Sequence, residues 1–233
     1  MKIPFKFYTF ALAFLVVSRF QSGLLLAGET NTLYFDVGAG ANFQQDTDAK
    51  FSGEPYTEMG KARFSPGEEI ELKAGYKPYQ WLAVELAAGF IQNNISSIGT
   101  YPVQGVDFTQ FPVMANIVLS REVFRNWSVY VGAGAGFIVS QWDCALQPYV
   151  KISHNGLPSI GYYPFHQTTA SDLVPGYEAM AGIRYKLAKC WSLKLGYQFL
   201  ATTEGHNWTI DSEEVKTNPT MSHSLTLSLT YSF

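Results

Sequence analysis

The side chains able to do nucleophilic or acid–base work are few and scattered. Four histidines are present, His154, His166, His206 and His223. A Ser/His hydrolase needs the two groups within hydrogen-bond reach, with a third group orienting the base. Ser222 and Ser224 flank His223, but neighbouring residues of an extended chain point to opposite faces. The residue that shares a face with His223, two positions on, is Leu225. Ser171-Asp172 and Asp211-Ser212 sit between periodic runs and bring no histidine with them. No stretch has the ordered Asp/Asn spacing of a calcium loop. Gly132, Gly134 and Gly136 alternate inside an extended run with no helix behind it, so they form no phosphate cradle. Cys144 and Cys190 fall at opposite ends of the architecture derived below, beyond the ~7 Å Cα reach of a disulfide. The sequence therefore predicts no catalytic, cofactor or metal site, and two unpaired thiols.

A set of charges remains: Asp36, Glu71, Lys73, Glu85, Glu178, Arg184 and Lys194. Each lies inside a run in which apolar and polar residues alternate, on the polar face. Strict alternation is the mark of a strand with one apolar face. Eight such runs occur: Leu33–Phe43, Glu69–Lys77, Leu82–Gln92, Phe108–Ser120, Trp127–Ser140, Gly176–Leu187, Trp191–Leu200 and the terminal Leu225–Phe233. Most are about 9–13 residues, the length a tilted strand needs to cross a bilayer. No segment after residue 30 approaches the ~20 apolar residues of a membrane helix. Charged residues make up only 15% of the chain, below the roughly 25% of average soluble domains. That deficit fits strands that turn an apolar face outward.

The connections alternate in length. Pro78–Trp81, Arg121–Asn126 and Ala188–Cys190 are short, whereas residues 44–68, 93–107, 141–175 and 201–220 are long. Short turns at one end and long loops at the other are the layout of a barrel with periplasmic turns and extracellular loops. The expected fold is thus all-β: an eight-stranded antiparallel up-and-down transmembrane β-barrel over residues 31–233. The terminal run pairs with Leu33–Phe43 and removes both edges.

Aromatic residues gather at the strand ends. Trp81, Trp127 and Trp191 mark the returns from the short turns, joined by Tyr76, Tyr185, Tyr231 and Phe233. Phe43, Phe90, Phe111, Phe137, Tyr177 and Phe199 fall toward the other end. Two such belts are what the two membrane interfaces select. Trp81 falls on the polar parity, which calls for a bulge at its turn. With the apolar face in lipid, the seven charges point inward. Buried charges must be paired or wet, so a salt-bridge network filling a narrow lumen is expected. A thin polar path for ions is the alternative. The long connections carry most of the acids, among them Asp46, Asp48, Asp172, Glu204 and Glu214, and the short turns carry Lys77, Arg121, Arg125, Lys186 and Lys189. Such acids form a solvated surface, bridge through divalent cations to anionic lipopolysaccharide, or meet a basic ligand.

The N-terminus reads as a secretory signal, residues 1–27. Lys2 and Lys6 precede an apolar run from Phe7 to Val17, and small residues follow between Gly23 and Gly28.

Several segments carry a family resemblance: Tyr130-Val131-Gly132-Ala133-Gly134-Ala135-Gly136, Ala181-Gly182-Ile183-Arg184-Tyr185, Leu195-Gly196-Tyr197 and the terminal Leu225-Thr226-Leu227-Ser228-Leu229-Thr230-Tyr231-Ser232-Phe233. In these the chain resembles the small bacterial outer-membrane β-barrel superfamily of OmpA transmembrane domains, OmpX and OmpW. The last segment also resembles the signal read by the barrel-insertion machinery, carried here by Leu229, Tyr231 and Phe233 after Leu225 and Leu227. The resemblance implies a monomer in the bacterial outer membrane, surrounded by lipid and lipopolysaccharide. It implies a structural, adhesion or envelope-integrity role, with the loops open to an extracellular ligand. A narrow OmpW-like channel for ions or small hydrophobic solutes is the alternative, and a lipid A-modifying enzyme a further one. Nothing in the pattern points to nucleic acid.

Overall fold

The computed structural model describes residues 32–53, 56–99, 101–102, 105–144, 146–152, 158–164, 169–210 and 213–233. The signal segment 1–27, His154 and His166 lie outside them. The strands are β1 (Thr32–Gln44), β2 (Thr47–Gly53), β3 (Tyr56–Phe64), β4 (Gly67–Tyr79), β5 (Leu82–Ile98), β6 (Tyr101–Pro102) and β7 (Val106–Phe124). They continue with β8 (Trp127–Cys144), β9 (Leu146–Ile152), β10 (Pro158–Pro164), β11 (Thr169–Lys186), β12 (Trp191–Ile210) and β13 (Glu213–Ser232). Eight of them, β1, β4, β5, β7, β8, β11, β12 and β13, close into an antiparallel ring, and β13 seals it against β1 with Tyr34 opposite Ser232 and Gln44 opposite Ser222.

Most strands run well past the predicted boundaries at the end away from the short turns, and β7 also continues to Phe124, into the predicted turn Arg121–Asn126. Segment 44–68 is no loop: β2 and β3 continue β1 and β4 in the same register, Asn42 facing Gly67 and Thr47 facing Ala62. The break between β3 and β4 falls at Ser65-Pro66, where proline has no N–H to give the ladder. Segment 141–175 holds the end of β8, the β9–β10 hairpin and the start of β11, and 201–220 lies largely within β12 and β13. The 20 residues of β12 span roughly 50 Å in height at ~3.3 Å per residue and a tilt near 40°. An apolar band is about 25 Å tall, so about half the barrel stands clear of it.

Polarity inverts partway up. In the lower half, toward the turns, the outer face is apolar (Val84, Leu86, Ile117, Val131, Leu195, Leu227 are exposed) and the inner face carries the charges, with Ala83, Val118 and Met180 packed among them. In the upper half the inner face is apolar: Phe108, Trp142, Trp208, Ile95, Val106 and Val215 pack against the small Ala49, Ala62 and Ala170. The change lies just above Phe43, Phe90, Phe111, Phe137, Tyr177 and Phe199. The lower half is patterned for a membrane and the upper half like a soluble protein, which places lipid against the lower half alone.

One seam interrupts the wall. The β11–β12 ladder ends at Gly176 opposite Thr202, although both strands run on beside their other neighbours. Pro175 cannot donate there, and register shifts between Ala201, Gly205 and Asn207 turn β12 away. Side chains close the seam instead: Asp172 Oδ2 accepts the Asn207 N–H at 2.9 Å and Thr203 Oγ1 donates to Pro175 O at 3.1 Å.

Candidate functional site

Alternation places all seven predicted charges, Asp36, Glu71, Lys73, Glu85, Glu178, Arg184 and Lys194, inside the lower barrel, and all are buried. Lys194 is the hub. Its Nζ lies 2.8 Å from Asp36 Oδ2 and 3.9 Å from Glu85 Oε1, between the ring faces of Tyr34 and Tyr130. Thr230 donates to Asp36 Oδ2 at 2.6 Å, and the Tyr34 hydroxyl donates to Glu85. Glycine makes this possible: a Cβ at Gly75 would strike the Tyr34 ring, and one at Gly182 would lie 2.6 Å from the Tyr130 hydroxyl. Lys73 pairs with Glu71 at 2.8 Å, and Gln198 donates to Glu178 Oε2 at 2.5 Å.

Two features depart from the near balance that the sequence suggests. Glu69 is buried as well, so among the described residues five buried carboxylates face three buried bases, and Asp36 Oδ1, Glu69 Oε2 and Glu85 Oε2 have no hydrogen-bond partner there. Arg184, expected to join the ion pairs, has no carboxylate within ion-pair distance among the described residues. It rests on the Tyr130 ring, 5.9 Å from the centroid, and its Nε has no partner.

The turn-side aromatics form a belt. Trp127 packs on Tyr185 at 4.7 Å, Trp191 on Tyr231 at 4.8 Å and Trp81 on Tyr79 at 5.7 Å between centroids. Tyr76 is exposed beside them. The register irregularity between Tyr76 and Tyr79 supplies the bulge that Trp81 required. Phe233, after Leu229 and Tyr231, packs edge-on against Phe35 at 5.8 Å, and its N–H donates to Leu33 O. Cys190 is free at the turn end, and the backbone of Cys144 pairs with Val106 at the opposite end.

The histidines separate. His223 lies among the upper-belt aromatics, its Nδ1 2.6 Å from the Tyr197 hydroxyl and its Nε2 2.7 Å from Gln45 Nε2. Ser222 and Ser224 are buried on the inner face, out of its reach. His206, which no motif marks out among the four histidines, is buried in the upper core. It stacks on Trp208 at 4.8 Å, with Nδ1 3.5 Å from Asp172 Oδ2. Burial among these rings holds its pKa down at about 4, against the opposing pull of Asp172. The upper core was missed because its bulky members are matched with alanines, so no single strand shows an apolar run. Among the described residues, no group of three or more His, Cys, Asp or Glu is placed to hold a metal ion.

Residues 9–233 match the model of the outer membrane protein beta-barrel domain family. The chain belongs to that family. Solved structures agree on the fold. OprG of Pseudomonas aeruginosa superposes with a TM-score of 0.59 at 11% identity, over 88% of this chain and 96% of that one. The outer membrane protein AlkL gives 0.51 at 13% identity, over 91% and 96%. Neisserial surface protein A gives 0.49 at 16%, over 85% and 97%. No curated protein sequence gives a significant match. The protein is a bacterial outer-membrane β-barrel. In this family of barrels the short turns face the periplasm and the long connections the exterior, so the apolar-cored upper half stands outside the cell.

Proposed function

We propose that this outer-membrane barrel is closed to solute flow and serves at the cell surface, in attachment or in the integrity of the envelope. The observation that carries this reading is the two-storey filling of its interior. A charged network with tyrosines fills the membrane half, and the aromatic cluster of Phe108, Trp142 and Trp208 fills the half above it. A wall continued so far above lipid, with an aromatic core, is a stiff support for the segments at its tip. The reading includes no catalytic role, because the two serines flanking His223, Ser222 and Ser224, lie on the opposite face. Lipid and lipopolysaccharide surround the two aromatic belts, and Leu229, Tyr231 and Phe233 present the strand that the insertion machinery reads. An extracellular ligand would meet the tip.

Replacing residues 146–164 by a short Gly-Ser turn tests it. The barrel is expected to keep its heat-modifiable gel mobility, while cell attachment or detergent resistance of the envelope falls. If deleting the whole protein changes neither property, the surface role is wrong. The seam above Gly176 and Thr202 favours one second reading, a narrow path for ions or small hydrophobic solutes that opens between β11 and β12.

A further inference from the structure

At the periplasmic mouth of the lumen, a cation is buried without a counter-ion among the described residues. Arg184 stands directly opposite Lys194 in the β11–β12 ladder, and both point inward. Like charges in that relation repel. Lys194 takes the available carboxylates, Asp36 and Glu85. Arg184 is 9% exposed, makes no ion pair among the described residues, and has only the face of Tyr130 beside it, with Nε unpartnered. Two more bases stand between it and the periplasm. Lys77 is half-buried with its Nζ 5.0 Å from the centre of the Tyr34 ring, and Lys186 is exposed at the end of β11. Arg184, Lys194 and Lys186 are the positive charges that act on Lys77, so the four share one electrostatic neighbourhood. Neither Lys77 nor Lys186 has an ion pair among the described residues.

A buried guanidinium without a partner is strongly unfavourable. Its planar fork of donors matches an oxyanion, and a mouth where bases outnumber the one nearby acid, Glu85, itself bonded to the Tyr34 hydroxyl, attracts anions. We infer that Arg184, with Lys77 and Lys186 as its approach, forms an oxyanion-binding site at the periplasmic mouth, for phosphate either free or in a lipid headgroup.

The test uses the folded full barrel in detergent micelles, titrated with inorganic phosphate while its unfolding midpoint is followed. Phosphate is expected to raise the midpoint in a saturable way, with sodium chloride at equal ionic strength giving no such rise. In Arg184→Met the rise is expected to vanish while stability without phosphate is kept or increased, because a buried charge is removed at the loss of one contact with the Tyr130 ring. Lys77→Gln is expected to weaken half-saturation by roughly tenfold, the order of one charge-assisted contact. Equal stabilisation by chloride would reduce the effect to screening and overturn the site. So would a large loss of stability in phosphate-free Arg184→Met, which would make Arg184 a structural partner of the carboxylates. Mass spectrometry of barrels extracted from phosphatidylglycerol vesicles separates the sources. A lipid retained by the wild type, lost in Arg184→Met and not displaced by free phosphate assigns the headgroup. Displacement by free phosphate assigns the free ion.

Discussion

Trp142 and Trp208 meet across the upper barrel with ring centroids 5.4 Å apart, and each is almost wholly buried. They come from β8 and β12, which flank β11 and share no ladder, and with the Trp208 Nε1–H donated to Ser140 O at 3.4 Å their contact braces the wall behind the seam where β11 and β12 part. Replacing either by alanine is expected to cost the upper barrel roughly 3–5 kcal/mol. Faster hydrogen exchange should follow in β12 above Thr202 and in β2, while amides of the membrane half stay protected. Uniform loss of protection along β12 would show that the two halves unfold as one.

The membrane half was legible because lipid imposes a rule on each strand separately. Leu193, Leu195, Tyr197 and Phe199 alternate on β12, so its outward face can be read alone. The upper half follows a collective rule. Ala49, Ala62 and Ala170 give no strand signal, yet each is buried in the cluster that Trp142 and Trp208 join. The polarity inversion added to this: Thr47, Ala49, Lys61 and Arg63 alternate with the opposite sense of inside and outside. The inner charges were readable as a set, but not their pairing, which the stagger of neighbouring strands decides. Arg184 shows the difference, because its face was readable and its lack of a carboxylate was not.

Lys194 holds two carboxylates away from water. Lys194→Met is expected to destabilise the barrel by roughly 3–5 kcal/mol, because Asp36 and Glu85 are left buried and unpaired. Adding Asp36→Asn should restore part of that loss. Urea unfolding in lipid vesicles measures both, and a double variant no more stable than the single one would remove Lys194 from the centre of the network.

His206 makes the upper barrel sensitive to acid. Its pKa in the folded state, about 4, lies below the ordinary 6.5. Above pH 6.5 the imidazole is neutral in both states, and its contribution is fully present. As pH falls toward 4 the unfolded chain takes up the proton first, and stability is lost, on the order of 3 kcal/mol over that window. Asp172, 3.5 Å from Nδ1, is the charged group facing it. Hydrogen exchange of β12 at pH 7 and pH 4.5 should show the upper amides opening at the lower pH in the wild type. In His206→Phe the difference between the two pH values should shrink.

A filled lumen carries no ion current. Planar-bilayer recording of the purified, heat-modifiable barrel tests this most directly. A flat baseline across the voltage range, for the wild type and for Trp142→Ala alike, is expected, because the Lys194 network closes the membrane half independently of the aromatic core. Steady, reproducible single-channel steps from the wild-type barrel would contradict it.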